Sequence, residues 1–352
     1  MLLESVALGC AALIGFAAHR ASLCNVRAVA ELMSTGSAHM LWSLLQAVLW
    51  MATLTGVLVL VVGLVPQPTL ARTPALWAWA GGALFGIGAA VNGGCSLSTL
   101  TRLADGDLGM AAALAGFALG VDSWLALQAT GWPAALLPVS SPWLRWPDLA
   151  PWLLALLLAW ALHRAQAMWQ MARTHFQAPP QPFLLAPAYH LSASAALMGL
   201  AAGLLFVTQG AWSYSNYLRT EILHALGNAP APSAWHAWLV FGLLAGMLAS
   251  SLQRGTHAWR RPSGFGAWMR HAGGGTLMGA GAAMVPGGND TLLLGGLPTM
   301  TLAAFGTYLS MLLGIALVLW TMRLAHVPMP ALTCSPSGCD EAGAARTTRS
   351  PR

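Results

Sequence analysis

The sequence contains no lysine, and its 16 cationic side chains outside histidine are all arginine. Charged residues make up only 7% of the 352 positions, against roughly 25% in a typical soluble domain. The chain also lacks the basic runs with interleaved aromatic residues that nucleic-acid-binding proteins carry. Apolar residues reach 57%, so the sequence indicates a protein that resides in a lipid bilayer and binds no nucleic acid.

Cysteine is scarce, with five residues, an odd number, and no CxxC pair. This excludes the disulfide framework of a small secreted protein. Cys334 and Cys339 near the C-terminal end have no further zinc ligands beside them, so we expect neither a metal nor another cofactor. Two interpretations of this pair stay open, namely exposed thiols in a disordered tail and a sulfur hand-off or disulfide switch.

Long apolar stretches indicate an all-α polytopic membrane protein, because a helix needs about 20 apolar residues to cross the hydrocarbon core. About nine stretches meet this requirement. They cover roughly 2–19, 41–65, 74–92, 108–130, 149–168, 190–210, 234–253, 267–285 and 300–322.

Arginine placement predicts the orientation in the membrane, because short cytoplasmic loops hold an excess of arginine. With the N-terminus outside, most arginines fall on the inner side of these nine stretches, including Arg164, Arg254 and Arg323. The opposite orientation would place this majority outside. We therefore expect a multi-pass protein of the bacterial inner membrane, with its N-terminus outside and its C-terminus in the cytoplasm.

Two segments of the chain resemble each other. Both read GxGAA, a short spacer, GG and a polar residue, and they begin at Gly86 and Gly279. We predict a first transmembrane repeat over 1–130, a linking helix and loop over 131–189, and a second repeat over 190–325. A flexible cytoplasmic tail follows over 326–352. One linking helix would invert the second repeat, and short re-entrant helices or loops near the bilayer midplane are typical of such transporters.

The two GG pairs predict loops that line a cavity, since non-helical backbone at membrane depth must face protein or water. The segment after Gly93 and Gly94 starts a short helix at Ser96, and its free amides and positive dipole end suit an anion. Gly287, Gly288 and Asp290 predict a second helix start that suits an anion in the same way. Asp290 would itself repel an anion, and capping the short helix is its other possible role.

Cys95 follows the first GG pair directly. A neutral thiol is a weak donor with a polarisable surface, which suits a soft anion that must leave the site again. The alternative is that Cys95 only fills a small space at a tight turn. Apart from His19, no histidine stands near Cys24 or Cys95 in the sequence. We therefore expect no catalytic residue and no enzyme, although a membrane-bound thiol enzyme is the rival class.

The run from Asn92 to Gly109, NGGCSLSTLTRLADGDLG, resembles the signature of the YeeE/YedE sulfur-transport family. This resemblance implies an inverted-repeat thiosulfate uptake protein with cysteines along a central path. It assigns Cys24 and Cys95 to that path. It also implies a partner, namely a small cytoplasmic sulfur-carrier protein that receives the sulfur.

The third path position of the family falls on Asn289, which has no thiol. An asparagine amide still donates a hydrogen bond to an oxyanion, so a permease for another sulfur oxyanion such as sulfite stays open beside thiosulfate. Two further alternatives remain, a membrane thiol protein that hands sulfur to the carrier and a membrane anchor for that carrier.

Overall fold

The fold is built almost entirely of helices. The computed structural model describes residues 2–63, 75–131, 148–175, 190–210, 212–227, 230–285, 287–327, 332–335 and 338–341. The helices are α1 Leu2–Ala21, α2 Asn25–Thr35, α3 His39–Leu60, α4 Ala75–Asn92, α5 Ser96–Ala104, α6 Gly109–Ala129, α7 Ala150–His175, α8 Leu191–Gln209, α9 Tyr214–Ala225, α10 Ala234–Arg254, α11 Phe265–Met284, α12 Asn289–Thr291 and α13 Leu302–Leu324. A π-helical turn, Leu292–Gly296, continues α12.

Seven stretches within the described residues are long and apolar enough to cross a membrane. They confirm an all-α membrane protein but do not confirm the number nine. The two predicted spans outside this set correspond to α7 and α11, which are both helical. α11 contains Arg270 and His271 as well as six glycine residues, and these lower its hydropathy although its length suffices for a crossing.

Three of the seven candidate spans join a long helix to a short one. They are Leu3–Thr35, Leu76–Ala104 and Leu191–Ala225, which combine α1 with α2, α4 with α5, and α8 with α9. The sequence predicted the short helices as re-entrant segments after complete spans. In the structure each short helix follows its long helix after a break of three or four residues, which is consistent with that prediction.

The order of long and short helices is the same in α1–α6 and in α8–α13, with α7 between the two groups. The contacts between helices follow the same correspondence between the two groups. α1 packs on α10 as α8 packs on α3, and α6 packs on α11 as α13 packs on α4. α4 also packs directly against α11.

The α4–α11 pair runs antiparallel. Gly81 meets Gly281 near one end of the contact, and Gly88 meets Gly274 toward the other. A Cβ added to Gly88 would lie 2.6 Å from the carbonyl oxygen of Gly274, so only glycine allows this approach. Antiparallel counterparts are what an inverted repeat would produce. The division of the chain at 130 and 190 stays a prediction.

The contact between α6 and α11 is closer still, and these two helices run parallel. A Cβ on Gly116 would lie 2.0 Å from the carbonyl oxygen of Ala272, and one on Gly279 would lie 2.0 Å from that of Phe117. No side-chain movement relieves a clash with backbone. Small residues of this kind are what let membrane helices pack at short axial distance.

Two short strands occur in the segment predicted as a flexible tail. β1, Leu332–Ser335, pairs antiparallel with β2, Gly338–Glu341, and the register places Cys334 opposite Cys339. β1 lies against α2 and α3. The flexibility of 326–352 as a whole stays a prediction.

Candidate anion path at the interrupted helices

The four short helices begin next to one another. Their N-caps are Cys24 for α2, Cys95 for α5, Ser213 for α9 and Gly288 for α12. Side-chain contacts join α2 to α5, α5 to α12, and α12 to α9. Four helix N-termini, each with a positive dipole end, therefore meet at one place.

A pair of thiols lies at the N-termini of α2 and α5. Cys24 and Cys95 are buried and free, and their side chains are hydrogen-bonded to each other. The Cys24 thiol also interacts with the backbone N–H groups of Arg27 and Cys95, and the Cys95 thiol with those of Ser98 and Asn25. Each sulfur thus lies over its own helix N-terminus and beside that of its partner. No distance between the two cysteines follows from the sequence, and the fold brings them into contact.

Asn289 is linked to the thiol pair through Ser96. It is only 1% exposed, and its Oδ1 accepts a hydrogen bond from Ser96, the residue that follows Cys95. The three predicted path residues therefore belong to one chain of contacts. Ser96, predicted at an anion-binding helix end, is the link between the two halves.

The glycine amides predicted to bind an anion are already hydrogen-bonded. Gly93 and Gly94 donate to the carbonyls of Ala90 and Ala89 at 3.1 and 2.9 Å, which closes the end of α4. Gly93 needs the positive φ of 79° for this turn. At the equivalent place after α11, the described glycine amides are those of Gly287 and Gly288.

Gly287 donates to the carbonyl of Ala282 at 2.8 Å, and Gly288 donates to Oγ of Ser215 at 2.9 Å. The role of these glycines is therefore to end the long helices and to let the short ones start. The amides nearest to the thiols belong to the first turns of α2 and α5.

Asp290 caps a neighbouring helix as well as standing at the start of its own. Its Oδ2 accepts a hydrogen bond from the backbone N–H of Ser215 at 3.1 Å, and its Oδ1 accepts one from the Ser215 hydroxyl. Ser215 belongs to the first turn of α9. The carboxylate therefore occupies the α9 N-terminus, which the sequence alone could not indicate.

Several polar groups at the site were missed from the sequence. Tyr308 of α13 donates to Oδ1 of Asn25 at 2.8 Å, and Ser213 is hydrogen-bonded to Thr291. Ser213 had a usable signal, since a serine before a short helix after Gly210 is a typical N-cap. Tyr308 had none, because it lies within an apolar span. No group of three or more His, Cys, Asp or Glu side chains in the described part of the chain is arranged as a metal site.

A buried chain of hydrogen bonds supports the Cys95 turn from behind. His271 Nδ1 lies 2.9 Å from Oδ1 of Asn92, and Nδ2 of Asn92 donates to the carbonyl of Gly94 and to Oγ1 of Thr99. Thr99 in turn donates to the carbonyl of Cys95 at 3.0 Å. A residue of α11 therefore helps to fix the turn between α4 and α5.

A second buried network joins the end of α5 to α1 and α10. The Asp105 carboxylate accepts hydrogen bonds from His19, Ser251 and Thr256 at 3.0, 2.6 and 2.6 Å. His19 also pairs with Ser250 at 2.9 Å. Burial raises the pKa of Asp105, but these hydrogen bonds outweigh burial and hold that pKa well below its usual range.

Comparison with known proteins gives one match that covers most of the chain. A family model described as sulphur transport matches residues 20–317. This stretch contains all four short helices and the thiol pair. No curated protein matches the chain.

Proposed function

Because the chain belongs to the sulphur-transport family, we propose that it takes up thiosulfate across the bacterial inner membrane. Membership of this family gives the protein a role in sulfur transport, and its apolar helices make it a multi-pass membrane protein. The specific substrate, the path through Cys24, Cys95 and Asn289, and the orientation are the content of the proposal.

The observation that carries this function is the contact between the Cys24 and Cys95 thiols at converging helix N-termini. Helix N-termini attract an anion without a buried cation, which would bind a dianion too tightly for release. Neutral thiols are weak donors with a polarisable surface that suits the terminal sulfur of thiosulfate. A transported anion would replace the thiol–thiol hydrogen bond with one bond to each sulfur.

The proposed path residues are closed to solvent in this structure, since Cys24, Cys95 and Asn289 are each 2% exposed or less. An anion from the outer side would meet Asn289 first and would then pass the thiols toward the cytoplasm. A small cytoplasmic sulfur-carrier protein would receive its sulfur there. Both the direction and the carrier rest on the N-outside orientation and on the family resemblance.

The test is uptake of labelled thiosulfate in a bacterial host that lacks its own thiosulfate transport. We expect uptake with the wild type and loss of at least tenfold in Cys95→Ala and in Cys24→Ala. Cys10→Ala is the matched control, because Cys10 is also a buried free cysteine but lies in α1 away from the thiol pair. Equal uptake in Cys95→Ala and Cys10→Ala would contradict the proposal.

A second candidate substrate, sulfite, is tested in the same assay. Asn289 offers an amide where the family resemblance places a thiol, and its contact with Ser96 makes this part of the path rich in oxygen and nitrogen. Such a lining favours an oxyanion without a terminal sulfur, such as sulfite. Asn289→Cys should then raise thiosulfate uptake relative to sulfite uptake. An unchanged ratio would show that this position does not select the substrate.

A membrane thiol protein that hands sulfur to a carrier is distinguished by covalent chemistry. In that mechanism the Cys95 or Cys24 thiolate attacks the terminal sulfur of thiosulfate, which forms a persulfide and releases sulfite. Mass spectrometry of the intact protein would detect the persulfide. The transport mechanism requires flux of the whole anion with both thiols unmodified. Double labelling of the two sulfur atoms of thiosulfate separates the two mechanisms, because transport delivers both labels together.

A further inference from the structure

Asp290 holds the position that an incoming oxyanion would take at the N-terminus of α9. Its side chain is 3% exposed, and it accepts hydrogen bonds from the Ser215 N–H and the Ser215 hydroxyl. The hydroxyl of Ser96, which also binds Asn289, lies 3.5 Å from Oδ1 of Asp290. The carboxylate therefore stands directly beside the proposed path.

No cation within the described residues forms an ion pair with this carboxylate. The helices that pack against α12 are α5 and α9, whose charged residues are Arg102, Arg219 and Glu221. Arg102 pairs with Asp107, and Glu221 accepts a hydrogen bond from Tyr217. Tyr214, in the first turn of α9, interacts with both Asp290 and Cys95.

A buried carboxylate inside a bilayer is costly while it is charged, and residues of this kind mark ion and proton pathways. A dianion that arrives next to Asp290 would add direct repulsion between like charges. Protonation removes both penalties at once, because it neutralises the carboxylate.

We propose that Asp290 binds one proton with each anion that enters the path and releases that proton to the cytoplasm, which makes uptake proton-coupled. This inference rests on the proposed function and adds the ion that accompanies the substrate. The proton binds to one oxygen of the carboxyl group and leaves from the same oxygen. Asp290 becomes a hydrogen-bond donor in between.

The surrounding groups can accept this change. The Ser215 hydroxyl lies 3.3 Å from Oγ1 of Thr291, and Thr291 is hydrogen-bonded to Ser213. A hydroxyl both donates and accepts, so the Ser215 hydroxyl can turn its proton to Thr291 and accept one from a protonated Asp290. A sodium ion fits less well at Oδ2, since the Ser215 N–H directs its partial positive charge at that oxygen.

The test uses the purified full chain in proteoliposomes that contain a fluorescent pH indicator, in sodium-free buffer with the membrane voltage clamped. Labelled thiosulfate is added outside. We expect acidification inside the vesicles that accompanies uptake, and an uptake rate that falls about tenfold per pH unit above the pKa of the coupling group. Asp290→Asn should still exchange labelled for unlabelled thiosulfate but without acidification.

Asp122→Asn is the matched control, because Asp122 lies exposed on α6 and should leave acidification unchanged. Wild-type uptake without acidification, uptake that depends on added sodium, or acidification by Asp290→Asn would each overturn the inference. If Asp290→Asn does not yield a folded protein, Asp290→Glu keeps a titratable group and should keep acidification. A wild type that neither takes up nor exchanges thiosulfate would overturn the proposed function, and the coupling with it.

Discussion

Nδ1 of His271 lies 2.9 Å from Oδ1 of Asn92, although the two residues stand 179 positions apart in the chain. Asn92 is fully buried and also binds Gly94 and Thr99, so this contact connects α11 to the turn that presents Cys95. The geometry of a thiol in one half of the protein therefore depends on a histidine in the other half.

Replacing His271 with alanine should lower stability by about 1–3 kcal/mol, because it leaves the buried Oδ1 of Asn92 without its partner. We also expect faster reaction of Cys95 with a small maleimide, since the turn that buries it loses support. Thermal unfolding in detergent and the labelling rate measure the two effects. His163→Ala, at an exposed position of α7, is the control and should change neither. A labelling rate in His271→Ala equal to that of His163→Ala would contradict the supporting role.

Gly279→Val should prevent folding or strongly destabilise the protein, because its Cβ would meet the carbonyl oxygen of Phe117 at 2.0 Å. Overpacking of this kind typically costs about 1–3 kcal/mol, and a clash with backbone lies at the upper end or beyond. Gly273 in the same helix has nothing within 4 Å of an added Cβ. Gly273→Ala should therefore stabilise the protein by roughly 0.5–1 kcal/mol, the helix preference for alanine over glycine. Thermal unfolding and the yield of monodisperse protein test both variants.

The low pKa of Asp105 has a consequence for acid stability. A carboxyl group whose pKa is lower in the folded state stabilises the protein fully above its unfolded pKa of about 3.9, and this contribution disappears as pH falls through the folded pKa. Since the folded pKa lies well below the usual range, the loss occurs below pH 4. We expect Asp105→Asn to lower stability by about 2 kcal/mol at pH 7 and by progressively less below pH 4.

Unfolding followed between pH 7 and pH 3 tests this dependence on Asp105. Asp148→Asn is the control, because Asp148 lies exposed at the start of α7 and should leave the pH profile unchanged. A constant difference between wild type and Asp105→Asn over the whole range would mean that the amide merely packs badly at this position.

The predicted orientation can be checked with reporters fused after residue 352. A fluorescent protein that folds only in the cytoplasm should be bright there, and an alkaline phosphatase that is active only outside should be inactive. A fusion between α10 and α11, near Arg260 and Arg261, should give the same result. High phosphatase activity at both places would reverse the topology and with it the proposed direction of uptake.

The sequence was sufficient for the class of fold and for the family, because both depend on local patterns. Apolar length alone identifies most crossings, and the run that begins at Asn92 carries the family signature. The interruptions after Gly93 and Gly287 were also visible, since paired glycines inside an apolar stretch indicate a turn at membrane depth.

Contacts between distant parts of the chain were not predictable in the same way. Nothing near Ser215 indicates that the Asp290 carboxylate caps its helix, and nothing near Cys24 places it against Cys95. The sequence also treated α2 and α5 as re-entrant pieces, because a stretch of about 20 apolar residues already suffices for a crossing. The packing of α2 on α13 and of α5 on α10 was likewise not visible in the sequence.

The glycine contacts of α11 limit which parts of the molecule can move during transport. α11 touches the backbone of α6 at Gly116 and Gly120 and that of α4 at Gly88, with no side chain between them to adapt. Sliding of these helices would separate surfaces that match at only one register. We therefore expect the three helices to stay fixed during transport and the proposed path to open at the short helices α2, α5, α9 and α12. Access to the two sides would then alternate through displacements of single turns of these short helices. The wall that α4, α6 and α11 form would stay in place.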